Sequence, residues 1–241
     1  MSRDSAPGPT AEPRPGTQRL EPVAPDDTDG IPSFERGVAP PPGIAKRVGL
    51  VIADLIVIPL VLLYRLAILV LRDRVDDVFQ GYSQLLSLWP GYTGVYVRRA
   101  FYRRTLDHCP TDCYIGFGTL LVSPRISIGH NVYIGARCMI AHAVIGDDVL
   151  IGSNVDIVAG RHTHDYERLD VPIRKQGGRY QQVRIGRDAW IANGAVVLAD
   201  IGEQAIVAAA AVVVKPVPPR AIVRGNPASI LTVRQPSAAP D

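Results

Sequence analysis

The chain has 241 residues, 26 basic and 23 acidic, a net charge of +3, and 47% hydrophobic residues. That length holds one globular domain with extensions rather than two full domains, and the near-balanced charge argues against a nucleic-acid partner, which requires a concentrated basic patch. Cys109, Cys113 and Cys138 are too few and too odd in number for a disulfide scaffold; they read as small buried side chains in a reducing compartment. Residues 1–45 carry ten of the 21 prolines and almost no bulky apolar side chains. Such a composition cannot bury enough surface to offset its ordering entropy, so a disordered tail is expected.

Residues 46–110 are expected to form a hydrophobic membrane-associating helix and a helical linker. The apolar run at 48–71, VGLVIADLIVIPLVLLYRLAILVL, is long enough to cross a bilayer. At about 100° per residue, Arg47, Asp54, Arg65 and Arg72 fall on one narrow stripe of that helix. The stripe suits a helix lying in the interface, a tilted helix, or a span that turns its charges toward another helix. The flanking arginines, Arg98, Arg99, Arg103 and Arg104, place the C-terminal body on the cytoplasmic side of the membrane if the helix spans. They face anionic headgroups if it lies flat. Trp89-Pro90-Gly91 breaks the helical linker.

From Ile115 the sequence becomes periodic in sixes: IGFGTL, then IGHNVY from Ile128, IGARCM from Ile134, IGDDVL from Ile145, IGSNVD from Ile151 and IGRDAW from Ile185. IANGAV from Ile191, IGEQAI from Ile201 and VAAAAV from Val207 continue it, with a shortened turn between Val197 and Ile201. A six-residue period fits no α-helix. It fits a short strand and a corner, repeated, with the aliphatic residue pointing inward and the small residue after it leaving room at the corner and tolerating unusual backbone angles. The repeat region, 111–233, supplies its own core, so removing residues 1–75 is expected to leave a folded solenoid. Residues 234–241 read as a flexible tail. One segment, residues 161–183, is thrown out of the repeat as a loop, a favoured location for chemistry.

These repeats resemble the hexapeptide-repeat acyltransferases, in particular the galactoside, maltose and colanic-acid O-acetyltransferase group. The resemblance implies a mainly β fold, a left-handed parallel β-helix, and a homotrimer with active sites between subunits. It implies acetyl-CoA or another acyl-CoA as co-substrate, no required metal, and a sugar, polysaccharide or lipid-linked sugar as acceptor. The family's loop histidine falls on His162, with His164 as the rival within the His164-Asp165-Tyr166 motif. Asp165 and Tyr166 are then acceptor-side candidates, and Trp190, in the turn after the loop, matches the family's tryptophan near the acceptor. The VVVKPVPP segment puts the CoA-phosphate lysine at Lys215, and Asn193 and Ala209 fall where the pantetheine arm passes. The asparagine that the sugar enzymes place opposite the histidine is not evident.

A histidine suits this chemistry because an imidazole can take a hydroxyl proton near neutral pH. Two alternatives stand beside this reading. One is a non-catalytic hexapeptide scaffold at the membrane. The other is a zinc hydratase of the γ-carbonic-anhydrase type using His142, His162 and His164, whose spacing does not match that family.

Overall fold

The computed structural model describes residues 44–235. The expected disorder of residues 1–45 therefore falls almost wholly outside the described residues, as does most of the expected C-terminal tail. Three helices precede the repeat: α1 (Ile44–Val70), α2 (Val75–Ser87) and α3 (Gly91–Thr105). The break between α2 and α3 lies at the Trp89-Pro90 step, where proline fixes the chain direction and Gly91 takes a positive φ of 68°.

The hexapeptides wind into a three-faced parallel solenoid, and the register of its ladders explains the period. On the first face Ile115, Ile134, Ile151, Ile191, Val207 and Val223 stack in line. On the second face the stack is Leu121, Ile140, Ile157, Val197 and Val213. On the third it is Ile128, Ile145, Ile185, Ile201 and Val217. All of these side chains are buried. Each coil thus places one aliphatic group per face directly over the last, and the backbone groups pair between coils.

At the corners the small residue does leave room, but the expectation about its backbone angles is corrected. The glycine that follows the aliphatic residue is not the one with unusual backbone angles. A Cβ on Gly135 would sit 2.6 Å from the Gly152 backbone, so glycine is needed there because successive coils approach closely. The left-handed residue comes two positions later, at Asn131, Arg137, Asp148, Asn154, Asp188, Gln204, Ala210 and Arg220. Asn and Asp tolerate that region best among non-glycine residues.

The helices close the N-terminal end of the solenoid. The Leu121 N–H donates to Ser83 Oγ (2.9 Å), which also contacts the Tyr102 hydroxyl (2.9 Å). Arg98 is fully buried. Its guanidinium donates to the carbonyls of Ile115 (3.1 Å), Leu86 (3.2 Å) and Trp89 (2.7 Å), tying the first coil to the end of α2. Arg99 is buried as well and donates to the Cys113 carbonyl (3.4 Å). These two arginines therefore face neither solvent nor lipid headgroups; their guanidinium groups donate to carbonyls at the helix and strand ends.

The apolar run is not a free-standing element either. Ala53, Val57, Val61 and Tyr64 form a buried seam on α1, and the Tyr64 ring meets Phe79, Tyr82 and Phe101 edge-on. At the C-terminus, Ser229–Val233 folds back antiparallel on Ala221–Arg224. Arg234 continues this order: its N–H donates to the Arg220 carbonyl and its guanidinium to the Gln204 carbonyl, so residue 234 is tied to the solenoid rather than to the tail expected from the sequence.

Candidate active site

The loop leaves the solenoid at the corner between the second and third faces. Two arms run alongside each other at its base: the Gln181 N–H donates to the Ala159 carbonyl (2.9 Å), Arg179 to His162 (2.7 Å), and Asp165 to Gly177 (3.1 Å). The Gln176 carboxamide ties the tip together by donating to the carbonyls of Arg168 and Val171 and accepting from the Arg168 N–H. Beneath the loop, the His142 ring lies against Tyr180, with centroids 5.5 Å apart. Burial holds the His142 imidazole below its ordinary pKa, favouring the neutral ring.

Between the loop base and the next two coils lies a cleft of about 540 Å³. Arg161, His162, Gln181 and Gln182 form its loop side, and Leu198, Ala199, Asp200, Val214, Lys215 and Pro216 its solenoid side. The backbone of His162 is pinned by Arg179 while its ring is exposed to the cleft. Lys215 is exposed and makes no hydrogen bond or ion pair among the described residues. A basic group with three donors and an imidazole thus face one volume, although they lie far apart in sequence. Asp200 is partly committed, since its carboxylate accepts from the Arg184 N–H (2.8 Å).

The other sequence candidates lie elsewhere. His164, Asp165 and Tyr166 are exposed further out on the loop, and Asp165 makes no hydrogen bond to either imidazole among the described residues. Trp190 projects outward from the first face, half-exposed, between Leu150 and Ile206 on the neighbouring coils. Asn193 and Ala209 sit at the corner between the first and second faces. The Asn193 carboxamide oxygen accepts from the Ser153 N–H (2.8 Å), so it helps hold two coils together. One chain therefore brings His162 and Lys215 together and leaves Trp190, Asn193 and Ala209 on the far side of the second face. Among the described residues no three His, Cys, Asp or Glu side chains converge as metal ligands.

Sequence reasoning missed Arg161, Gln181, Gln182 and the wall formed by Leu198, Ala199 and Asp200. The signal for that wall was present, because Leu198, Ala199 and Asp200 are the residues of the shortened turn between Val197 and Ile201.

No family model matches the chain. Nodulation protein L of Rhizobium meliloti (strain 1021) is 40% identical over 126 residues, 50% of this chain and 63% of that protein. Nodulation protein L of Rhizobium leguminosarum bv. viciae is 39% identical over 95 residues, 38% of this chain and 44% of that protein. The chain thus spans less than two thirds of the length of these curated relatives. A maltose O-acetyltransferase from Clostridium difficile 630 superposes with a TM-score of 0.57 at 22% identity, covering 68% of this chain and 90% of that one. The fold is that of the hexapeptide-repeat acetyltransferases. A galactoside acetyltransferase in complex with coenzyme A has a TM-score of 0.53 at 21% identity, covering 66% of this chain and 82% of that one. The solenoid is accordingly a left-handed β-helix.

Proposed function

We propose that the protein is an acyl-CoA-dependent O-acyltransferase, most simply an acetyltransferase, that modifies a sugar hydroxyl. The observation that carries this reading is the cleft in which His162 and Lys215 meet. The similarity to the nodulation proteins and to sugar acetyltransferase folds supports it.

His162 removes the proton from the acceptor hydroxyl as its oxygen attacks the thioester carbonyl. The resulting tetrahedral oxyanion is stabilised by N–H donors and collapses to the ester. The departing CoA thiolate then takes the proton from the imidazolium, which restores the base. Lys215 holds a phosphate of CoA, away from the reacting carbon. It therefore binds ground and transition states alike.

The active unit is a homotrimer. The first face carries an outward apolar ladder, Leu150, Trp190 and Ile206, and the second an outward row of Met139, Asp156, Val196 and Val212 in which one carboxylate interrupts the apolar side chains. Packing those faces between copies would bring Trp190, Asn193 and Ala209 of one subunit toward the His162 cleft of another. The chain works on the cytoplasmic side of a membrane, attached through residues 48–71, and the acceptor is a polysaccharide precursor or lipid-linked sugar.

The test is acyl transfer from acetyl-CoA to a panel of sugars and lipid-linked sugars. His162→Ala is expected to lower kcat by about 100-fold or more with little change in acyl-CoA affinity. Lys215→Ala is expected to raise KM for acyl-CoA at nearly constant kcat. If His164→Ala is the inactive variant instead, the base is His164. If the chain fails to bind CoA, the scaffold reading replaces this one.

A further inference from the structure

We propose that α1 does not cross a membrane but lies half-sunk in the plane of an anionic phospholipid surface, with the His162 cleft standing just above that surface. The proposal deepens the membrane attachment offered above, and its argument begins with the three arcs of α1. One arc is the buried seam of Ala53, Val57, Val61 and Tyr64. The opposite arc bears Leu55, Leu62, Leu66 and Leu69, each between 57% and 63% exposed. The charged line of Asp54 and Arg65 falls between them, roughly 60–80° from the seam at about 100° per residue, and Arg72, just past the end of α1, lines the same groove as Arg65. A helix floating in an interface needs its polar line there, at the water level, with the apolar arc beneath.

The packing opposes a crossing. The Asp54 carboxylate, early in α1, accepts from Arg104 of α3 (2.8 Å), with Arg103 at 3.8 Å. A span would carry α3, these arginines and the coil stacked on α3 into hydrocarbon. Each such charge costs several kcal/mol even on lenient scales. With α1 in plane, the same groups stay on the water side.

Charge complementarity selects the lipid. Asp54 is ion-paired to α3, whereas Arg65 and Arg72 on the rim have no carboxylate partner among the described residues. Two shallow apolar grooves flank Arg65. Ile68, Leu69 and Val75 line one together with Arg72, and Ile58, Val61 and Leu62 line the other together with Arg104. A guanidinium beside an apolar groove matches a lipid phosphate and the first methylenes of its chains.

This placement also reaches the catalytic corner. Val75 lines the groove, and the next residue, Asp76, accepts from Arg125 (2.5 Å) and Ser123 (2.9 Å) at the corner between the second and third faces. Gln182, which lines the His162 cleft, donates to the Arg125 carbonyl (3.3 Å). Along the solenoid the loop lies two coils beyond Arg125, roughly 10 Å at about 4.8 Å per coil. A sugar carried on a lipid in that same surface is within reach.

The test uses the full chain. It should float with vesicles of phosphatidylcholine and phosphatidylglycerol, bind phosphatidylcholine alone far more weakly, and lose binding in high salt. Leu62→Glu with Leu66→Glu should weaken vesicle binding tenfold or more. Arg65→Gln with Arg72→Gln should weaken it about tenfold on anionic vesicles only. Both pairs should leave CoA affinity and thermal unfolding in detergent unchanged, which reports that the chain is folded. The native thiols are buried. Single cysteines at Ser2→Cys and Leu169→Cys should therefore report topology, reacting with an impermeant maleimide from the same side of sealed membrane vesicles.

Labelling from opposite sides would establish a span and overturn the proposal. So would undiminished vesicle binding by the Leu62/Leu66 variant, or an oligomer that this variant dissociates while the wild type ignores vesicles. Turnover of a water-soluble sugar is measured separately, so loss of the transferase reading would leave these outcomes intact.

Discussion

In the solenoid each coil buries an aliphatic side chain under a similar one, Ile134 over Ile115 and Ile151 over Ile134. The helices on its first coil bury an unlike set instead: Phe79, Leu86, Phe101, Tyr102 and the guanidinium of Arg98. The first arrangement is a sum of nearly identical interfaces and tolerates wear at its ends. The second is a single cluster of specific contacts. In that cluster one buried arginine replaces the caps that α2 and the first strand lack, and α1 is shared between the protein core and its outer surface. A repeated device is robust locally, whereas a unique device concentrates its stability in a few side chains.

The largest expected effect tests whether α1 belongs to the core. Deleting residues 1–75 removes the seam of Ala53, Val57, Val61 and Tyr64. At about 1.5–3 kcal/mol for a fully buried large apolar side chain, the loss is roughly 5–8 kcal/mol. That is comparable to the whole stability of an ordinary domain. The truncated chain is expected to expose Phe101 and Tyr82 and to aggregate, as judged by light scattering and urea unfolding. A monodisperse truncated chain with an unchanged midpoint would show that α1 is only an attachment.

Two point variants sharpen the contrast. Gly135→Val drives a side chain into the Gly152 backbone, which cannot yield without displacing a coil. The expected loss is about 3 kcal/mol, at the upper end for overpacking. Arg98→Met removes the donor to the carbonyls of Ile115 and Trp89, while the Leu86 carbonyl keeps the Trp89 N–H (3.3 Å). It should cost about 2–3 kcal/mol, since each orphaned buried acceptor is expensive but a buried charge is also removed. Hydrogen exchange separates the two. The glycine variant should open coils on both sides of residue 135, and the arginine variant only the helices and first coil.

The same contrast explains what could be read in the sequence. Ile128, Ile134, Ile145 and Ile151 announce the solenoid because every coil repeats the same physical demand. Arg98 and Arg99 looked like any basic stretch, since nothing local distinguishes an arginine that caps carbonyls across the fold from one that faces water. The apolar run at 48–71 announced its hydrophobicity but not that one arc is used internally. The family resemblance pointed to His162 and Lys215, and the fold places both on one cleft. Trp190, Asn193 and Ala209 lie across the second face from that cleft and would gather with it only through a neighbouring subunit, the arrangement that the resemblance implies and that the register within one chain does not itself supply.

A smaller effect probes the corners. Ala210 holds a φ of 56° with no side-chain hydrogen bond to compensate. Ala210→Gly relieves roughly 1–2 kcal/mol of left-handed strain but adds flexibility to the unfolded chain, so a net gain of up to about 1 kcal/mol is expected. Asn131→Gly, where the native Asn131 amide donates to Asp148 (2.9 Å), should gain less or nothing. Thermal unfolding of the two variants ranks them. An equal rise in Tm would mean that the asparagine contributes nothing specific.

The smallest effects are those of pH, and two histidines at different corners should pull in opposite directions. His142, beneath the loop, has its pKa lowered from 6.5, first by burial. Above the ordinary value both folded and unfolded chains carry it neutral. As the pH falls through 6.5, the unfolded chain gains a proton that the folded chain resists, so stability declines until the lower folded value is passed. His130 lies on the surface against Asp112 (3.1 Å), and its pKa is raised, first by that hydrogen bond. Its contribution is therefore complete below the unfolded value and is lost as the pH rises through the higher folded one. Exposure and salt screening keep this contribution slight. His142→Phe should flatten the decline in stability on the acid side while retaining the ring contact with Tyr180. His130→Ala should leave that decline in place and remove only the small loss on the neutral side. Urea midpoints measured across this range decide between them, and an acid-side decline that survives in His142→Phe would move its origin away from the loop corner.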